Sequence, residues 1–97
     1  MNVVTHAVHF NADRRLIDFI ESKLAKLQVF FDKIIDADVF LKLENSGQVR
    51  DKVAEIKLNI PGAVIVVKEI ALTFEAAIDE AVEILKRKLV KHKQLKN

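Results

Sequence analysis

Two segments in the middle of the chain, residues 35–44 and 50–60, alternate between apolar and polar side chains. A period of two is typical of a strand that buries one face, and no other feature constrains the fold as strongly. Residues 63–70 form a third strand-like segment that is richer in apolar side chains. Turn-forming residues separate the segments at positions 45–48 and at the Pro-Gly pair of residues 61–62. Such short connections predict an antiparallel meander.

Another strand is predicted near the start of the chain, because residues 3–10 are rich in β-branched side chains. Two alternating sets of side chains are equally suited to the buried face of this strand. They are Val3, Thr5 and Ala7, or Val4, His6 and Val8.

Amphipathic helices are predicted before and after the meander. Residues 12–31 repeat apolar side chains at helical spacing, with Asn11 as the expected N-cap and Asp13 in the first turn. The second helix is expected to begin after the N-cap Thr73 and to run to near the C-terminus. The two core stripes are Leu16, Ile20, Leu24, Leu27 and Phe31, and then Phe74, Ile78, Val82, Leu85, Leu89 and His92.

The predicted order is β-α-β-β-β-α in a single domain, residues 1–97. Each helix must bury an apolar face, and the strands offer mainly one apolar face to cover it. Both helices are therefore expected on the same side of a four-stranded sheet. This is an α+β two-layer sandwich, similar to a double-stranded-RNA-binding domain. The sheet face that the helices do not cover is expected to be exposed to solvent.

The sequence contains no recognisable catalytic or metal centre. It has no cysteine, which excludes a disulfide scaffold, a thiolate metal site and a cysteine nucleophile. Neither Ser22 nor Ser46 has a histidine at a readable spacing, and there is no Gly-rich phosphate loop. His6 and His9 are predicted on opposite faces of the first strand, so they cannot share a metal. We expect no enzyme activity, no metal and no cofactor.

A membrane segment and a secretion signal are also not predicted. The longest apolar run, residues 63–67, is far shorter than the roughly 18–20 residues of a membrane span. The N-terminus lacks a basic region followed by an apolar one. The expected location is the cytoplasm, without a membrane partner.

Positive charge is concentrated at the end of the chain. The total of 16 Lys and Arg against 14 Asp and Glu gives a net charge of +2. Residues 86–97 hold six basic and no acidic residues, which leaves 10 basic and 14 acidic residues in positions 1–85. Clustered cations favour a polyanion such as RNA, because binding releases counterions from phosphate. A solvated helix end that complements the helix dipole explains the cluster equally well.

Basic residues also flank the apolar stripes of both helices. In the first helix this flank is Arg15, Phe19, Lys23, Lys26 and Phe30, and Lys33 follows just after the helix. We expect the two phenylalanines to pack between the helices. In the second helix, Lys88 and Lys91 share one flank, Lys86 and Lys93 share the other, and Arg87 points away from the sheet. Cations on rigid helices suit the phosphate backbone of structured RNA without base readout.

Several segments, in this order and spacing, resemble one family over nearly the whole chain. The segments are residues 23–27 (KLAKL), 30–34 (FFDKI), 39–44 (VFLKLE), 74–79 (FEAAID) and 85–93 (LKRKLVKHK). The chain resembles the short ribosome hibernation-promoting factors, in the family of ribosome-associated inhibitors also called sigma-54 modulation proteins.

The resemblance implies a protein that binds the small ribosomal subunit when growth slows. Both helices would place their basic surface on 16S rRNA in the channel used by mRNA and tRNA. Translation would be blocked by occupancy, and ribosomes would be stored as inactive 70S particles or 100S dimers. The rRNA-binding residues implied by the resemblance are Lys23, Lys26, Lys33, Arg87, Lys91, His92 and Lys93. Lys88 is expected with them from its position on the same flank as Lys91.

The sequence departs from the family pattern in two respects. The family often has Tyr where this chain has Phe74, so a role of that hydroxyl is not expected here. Long members add a C-terminal domain that dimerises ribosomes, and the inhibitor subtype adds an acidic tail. Neither follows the second helix here, so 100S particles would require a separate dimerising factor.

Two other functions fit the same residues. One is a general domain for structured RNA, which a preference for ribosomes over free duplex would exclude. The other is a protein-interaction module that uses the exposed sheet face or an edge strand, which would associate without RNA and independently of salt.

Overall fold

The computed structural model describes residues 1–44 and 51–95 and has the predicted order of elements. The turn predicted at residues 45–48 lies outside the described residues. The six elements are β1 (Asn2–Ala7), α1 (Arg14–Phe30), β2 (Asp36–Leu43), β3 (Lys52–Ile60), β4 (Ala63–Ala71) and α2 (Phe74–Leu95).

The four strands form one sheet in the order β1-β2-β3-β4. Strands β2, β3 and β4 pair antiparallel, which confirms the predicted meander. Gly62, at φ 80°, supplies the positive φ that the tight Pro-Gly turn requires. Strand β1 pairs parallel to β2, because α1 carries the chain back across the sheet between them.

Both helices cover the same face of this sheet, so the predicted α+β two-layer sandwich is confirmed. The fully buried side chains of α1 and α2 form one core with those of β2 and β3. Residues Ala77 and Ala81 of α2 are among them, and their small size lets this helix lie close to the sheet. Phe31, predicted in the core stripe of α1, is only half-buried because the helix has already ended at Phe30.

The start of α1 differs from the prediction by two residues. Asp13, not Asn11, is the N-cap, and its Oδ1 accepts a hydrogen bond of 2.8 Å from the backbone N–H of Leu16. The backbone of Asp13 is extended, so this residue precedes the first turn. The predicted N-cap of α2 is confirmed, since Thr73 Oγ1 accepts a 3.0 Å hydrogen bond from the N–H of Ala76.

The inner face of β1 carries Val3, Thr5 and Ala7, which are half-buried, whereas Val4 and His6 are exposed. The strand ends at Ala7, three residues earlier than predicted. The expectation that His9 lies on a strand face is therefore wrong. His9 has a φ of 63°, a left-handed conformation that cannot continue a strand.

The conformation of His9 predicts different changes in the free energy of unfolding for two substitutions. His9→Val should lower the free energy of unfolding by about 1–2 kcal/mol, because a β-branched side chain is disfavoured in the left-handed region. His9→Gly should leave it unchanged or slightly higher, since glycine adopts this φ without a steric cost. Urea unfolding of both variants measures the difference, and equal stability would contradict the assigned backbone conformation.

The outer face of the sheet is accessible, as predicted, but it is only partly polar, since Val64, Val66 and Ile70 of β4 are exposed on it. Lys42, Lys57 and Lys68 are exposed on it. The ring of His6 stacks on Phe40 with centroids 4.7 Å apart, and His6 Nε2 lies 3.2 Å from Asp38 Oδ1. Neither helix, in the part of the chain that is described, is long and apolar enough to cross a membrane.

Candidate nucleic-acid interface

The topology places the C-terminal ends of α1 and α2 at the same end of the molecule. Strand β4 runs in the same direction as β2 and β1, and each helix returns in the direction opposite to the strand before it. The two helices are therefore side by side and parallel. Their last turns each bring the negative end of a helix dipole to this end, where nearby cations are stabilised.

A cleft of about 640 Å³ opens between these two helix ends, and we call it the terminal cleft. It contains three of the predicted binding residues, which come from the exit of α1 and the last turns of α2. It also contains Pro61, from the turn between β3 and β4. Its lining is Val29, Phe30, Phe31, Asp32, Lys33, Pro61, His92 and Lys93.

The expected packing of Phe30 between the helices is wrong, while that of Phe19 is consistent with the structure. Phe19 is half-buried against the core. Phe30 is 50% exposed at the mouth of the terminal cleft, and the neighbouring Val29 is 88% exposed. Phe30 is the last residue of α1, and it lines the cleft that separates the two helix ends.

Lys23 has a structural partner that its sequence spacing does not reveal. Its Nζ lies 2.7 Å from Oδ1 of Asp79 in α2 and 5.4 Å from the centroid of the Phe19 ring. Its side chain is only 32% exposed. Asp79 belongs to an acidic stretch that is typical of a solvated face, yet here it links the two helices. Lys23 is the least available of the predicted phosphate contacts, because its charge already has a partner.

The pair predicts a charge-swap result. Lys23→Glu should lower the free energy of unfolding by about 0.5–1 kcal/mol, which is the range for a partly exposed ion pair. The substitution replaces the ion pair by two carboxylates, of Glu and of Asp79, that repel each other. Adding Asp79→Lys should restore most of that loss. A double-mutant cycle by urea unfolding measures the coupling. Strictly additive effects of the two substitutions would show that the pair contributes nothing.

Three predicted binding residues of α2 lie outside the terminal cleft. Lys88 Nζ lies 3.4 Å from the carbonyl oxygen of Val66, so this side chain reaches toward the edge strand β4. Lys91 follows one turn later on that same side. Arg87 lies in a shallow acidic groove between α2 and β4, with Glu69, Asp79, Glu80, Glu83 and Ile84. These three cations form a second group on α2, outside the terminal cleft.

Six of the eight predicted residues are exposed, and two, Lys23 and His92, are partly buried. The structure brings Lys33, His92 and Lys93 together in the terminal cleft, with Lys26 on the adjoining flank of α1. Arg87, Lys88 and Lys91 do not line this cleft. Successive residues of a helix point about 100° apart, so a continuous basic segment surrounds the helix.

A family model described as "Sigma 54 modulation protein / S30EA ribosomal protein" matches residues 3–97. The chain belongs to this family. The resemblance carried by its sequence segments is thereby confirmed. Among the residues described, no three His, Asp or Glu side chains converge as metal ligands would.

Curated relatives within this family carry the name of a hibernation factor. A ribosome hibernation promoting factor of Pseudomonas putida is 36% identical over 94 residues, which are 97% of this chain and 88% of that protein. A ribosome hibernation promotion factor of Deinococcus radiodurans is 37% identical over 78 residues. That match covers 78% of this chain but only 40% of the longer Deinococcus protein.

The fold is also found in a solved structure. A ribosomal subunit interface protein from Coxiella burnetii superposes with a TM-score of 0.87 over 97% of this chain and 99% of that chain. The two sequences are only 18% identical, so this likeness shows the shared fold alone.

Proposed function

We propose that this protein is a ribosome hibernation factor that binds rRNA of the small subunit and inhibits translation by occupying the ribosome. The observation that carries the proposal is the convergence of Lys33, His92 and Lys93 at the paired helix ends, in a chain of this family. The names of the curated relatives support the same function.

Binding would rest on phosphate contacts made by cations on a rigid frame. Lys26, Lys33, Lys91 and Lys93 are exposed, and none forms an ion pair with the described residues. Exposed cations of this kind displace counterions from RNA without reading its sequence. Because the net charge is only +2, affinity depends on where these cations lie rather than on a general cationic field.

The proposed site on the ribosome is 16S rRNA in the channel that mRNA and tRNA use. Occupancy of this channel excludes both ligands without any chemical step, so no catalytic group is required. Ribosomes would be stored as inactive 70S particles or as 100S dimers. With a ribosomal partner, the protein would act in the cytoplasm.

Co-sedimentation with purified 30S, 50S and 70S particles over a range of salt concentrations tests the proposal. We expect binding to 30S and 70S but not to 50S, with an affinity that falls steeply as salt rises. A free RNA duplex serves as the competitor, and equal affinity for it would indicate a general domain for structured RNA. No sedimentation with any particle at low salt would overturn the proposal.

A further inference from the structure

The terminal cleft combines features that phosphate binding alone does not require. A surface that contacts only the RNA backbone needs exposed cations, whereas this cleft also presents an aromatic ring. Phe30 is half exposed beside Val29 in its lining, and His92 lines it from α2. Exposed apolar side chains that adjoin polar groups in a concave site are typical of a ligand pocket.

The charges of the cleft are arranged around this apolar part. Lys33 comes from the α1 side and Lys93 from the α2 side, so an anion in the mouth of the cleft can contact cations from both helices. The carbonyl ends of the two helices repel anions, which leaves the lysine side chains as the anion-binding groups. The carboxylate of Asp32, also in the lining, is an acceptor for amino groups of a ligand.

We propose that the terminal cleft binds one unstacked nucleotide, with its base against the Phe30 ring and its phosphate between Lys33 and Lys93. The volume of about 640 Å³ lies within the usual range of small-ligand pockets. A base within a duplex has both faces covered by its neighbours, so the ligand must be single-stranded or free. The inference deepens the proposed function, on which it rests, by specifying the RNA conformation that this end of the protein recognises.

A nucleotide could reach the cleft within an RNA strand or as a free nucleoside phosphate. Both share the chemistry of an aromatic base joined to a phosphate, and aromatic side chains bind bases of any identity by stacking. The experiment therefore compares three probes: a single-stranded oligo(A) hexamer with one 2-aminopurine, 2-aminopurine riboside monophosphate, and a hairpin duplex containing the same base. The protein has no Trp or Tyr, so probe fluorescence is read without interference.

The single-stranded hexamer should bind more tightly than the hairpin, and Phe30→Leu should weaken its binding about tenfold. Phe30→Tyr should bind like the unmodified protein, because the ring is retained. Phe40→Leu, which removes a ring from the outer face of the sheet, is the matched control and should leave the affinity for the hexamer unchanged. A further result to compare is a riboside monophosphate that is bound as tightly as the hexamer and loses affinity in Phe30→Leu to the same extent. That result would support the cleft as a site for free nucleotides.

The outcome separates this inference from the proposed function. Equal hexamer affinity of Phe30→Leu and the unmodified protein would overturn the nucleotide site, even if both still sediment with 30S particles. Preference for the hairpin would overturn it as well. Failure of the unmodified protein to sediment with ribosomes would overturn the proposed function instead, while the hexamer titration still decides what the cleft binds.

Discussion

Replacing Lys26, Lys33 and Lys93 together by Glu is expected to lower ribosome affinity about a hundredfold or more at moderate salt. These cations are exposed on the α1 side of the interface, and each reversal turns an attraction to phosphate into a repulsion. The salt dependence should also become shallower, by about one unit of slope for each phosphate that is no longer neutralised. Co-sedimentation with 30S particles at several salt concentrations gives both quantities.

Two further triple variants make this prediction specific. Replacing Arg87, Lys88 and Lys91 by Glu tests the second group of α2 and should have a smaller effect, because acidic side chains lie beside Arg87. Lys42, Lys57 and Lys68 replaced by Glu change the net charge by the same amount on the outer sheet face. If this sheet variant loses as much affinity as the first one, then general charge and not the helix-end site determines binding.

The second large effect is expected in the core. Leu24→Ala should lower the free energy of unfolding by about 2–5 kcal/mol, because it removes a fully buried side chain and leaves a cavity. Leu24 has 0% exposure and lies in the middle of α1, where this helix contacts the common core. A domain of this size has a total stability of only about 5–15 kcal/mol, so the variant should unfold at a much lower urea concentration.

Leu72→Ala is the matched control, since it deletes the same atoms from a side chain that is 54% exposed. Its free energy of unfolding should change by about 0.5 kcal/mol or less. Similar losses in the two variants would mean that Leu24 does not occupy a close-packed core. Circular dichroism before unfolding establishes that both variants retain the fold.

Most of the fold could be predicted because it is encoded in local periodicity. The alternation in β2 and β3 and the helical spacing of α1 and α2 give the elements, and their apolar faces give the two layers. The ends of elements were less predictable. Asn11 and Asp13 are both good N-caps, and only the completed backbone shows that Asp13 accepts the hydrogen bond. His is one of the few non-glycine residues enriched at positive φ, but the residue type alone did not mark His9 as the end of the strand.

The candidate site was predicted less completely, because its geometry depends on residues that are distant in the chain. Helical spacing identified the basic residues but not their partners. The ion pair between Lys23 and Asp79, and the contribution of Pro61 to the terminal cleft, follow only from the relative placement of α1, α2 and the β3–β4 turn. The exposure of Phe30 depends on a helix end that was predicted one residue too late.

The parallel pairing of β1 and β2 also determines how this fold can assemble during synthesis. Partners in that pair, such as Thr5 and Val39, are 34 residues apart, whereas Ile60 and Ala63 at the β3–β4 turn are separated by three. Closing the longer loop costs more chain entropy before any contact forms. The strand that leaves the ribosome first therefore has no partner until α1 and β2 have followed it.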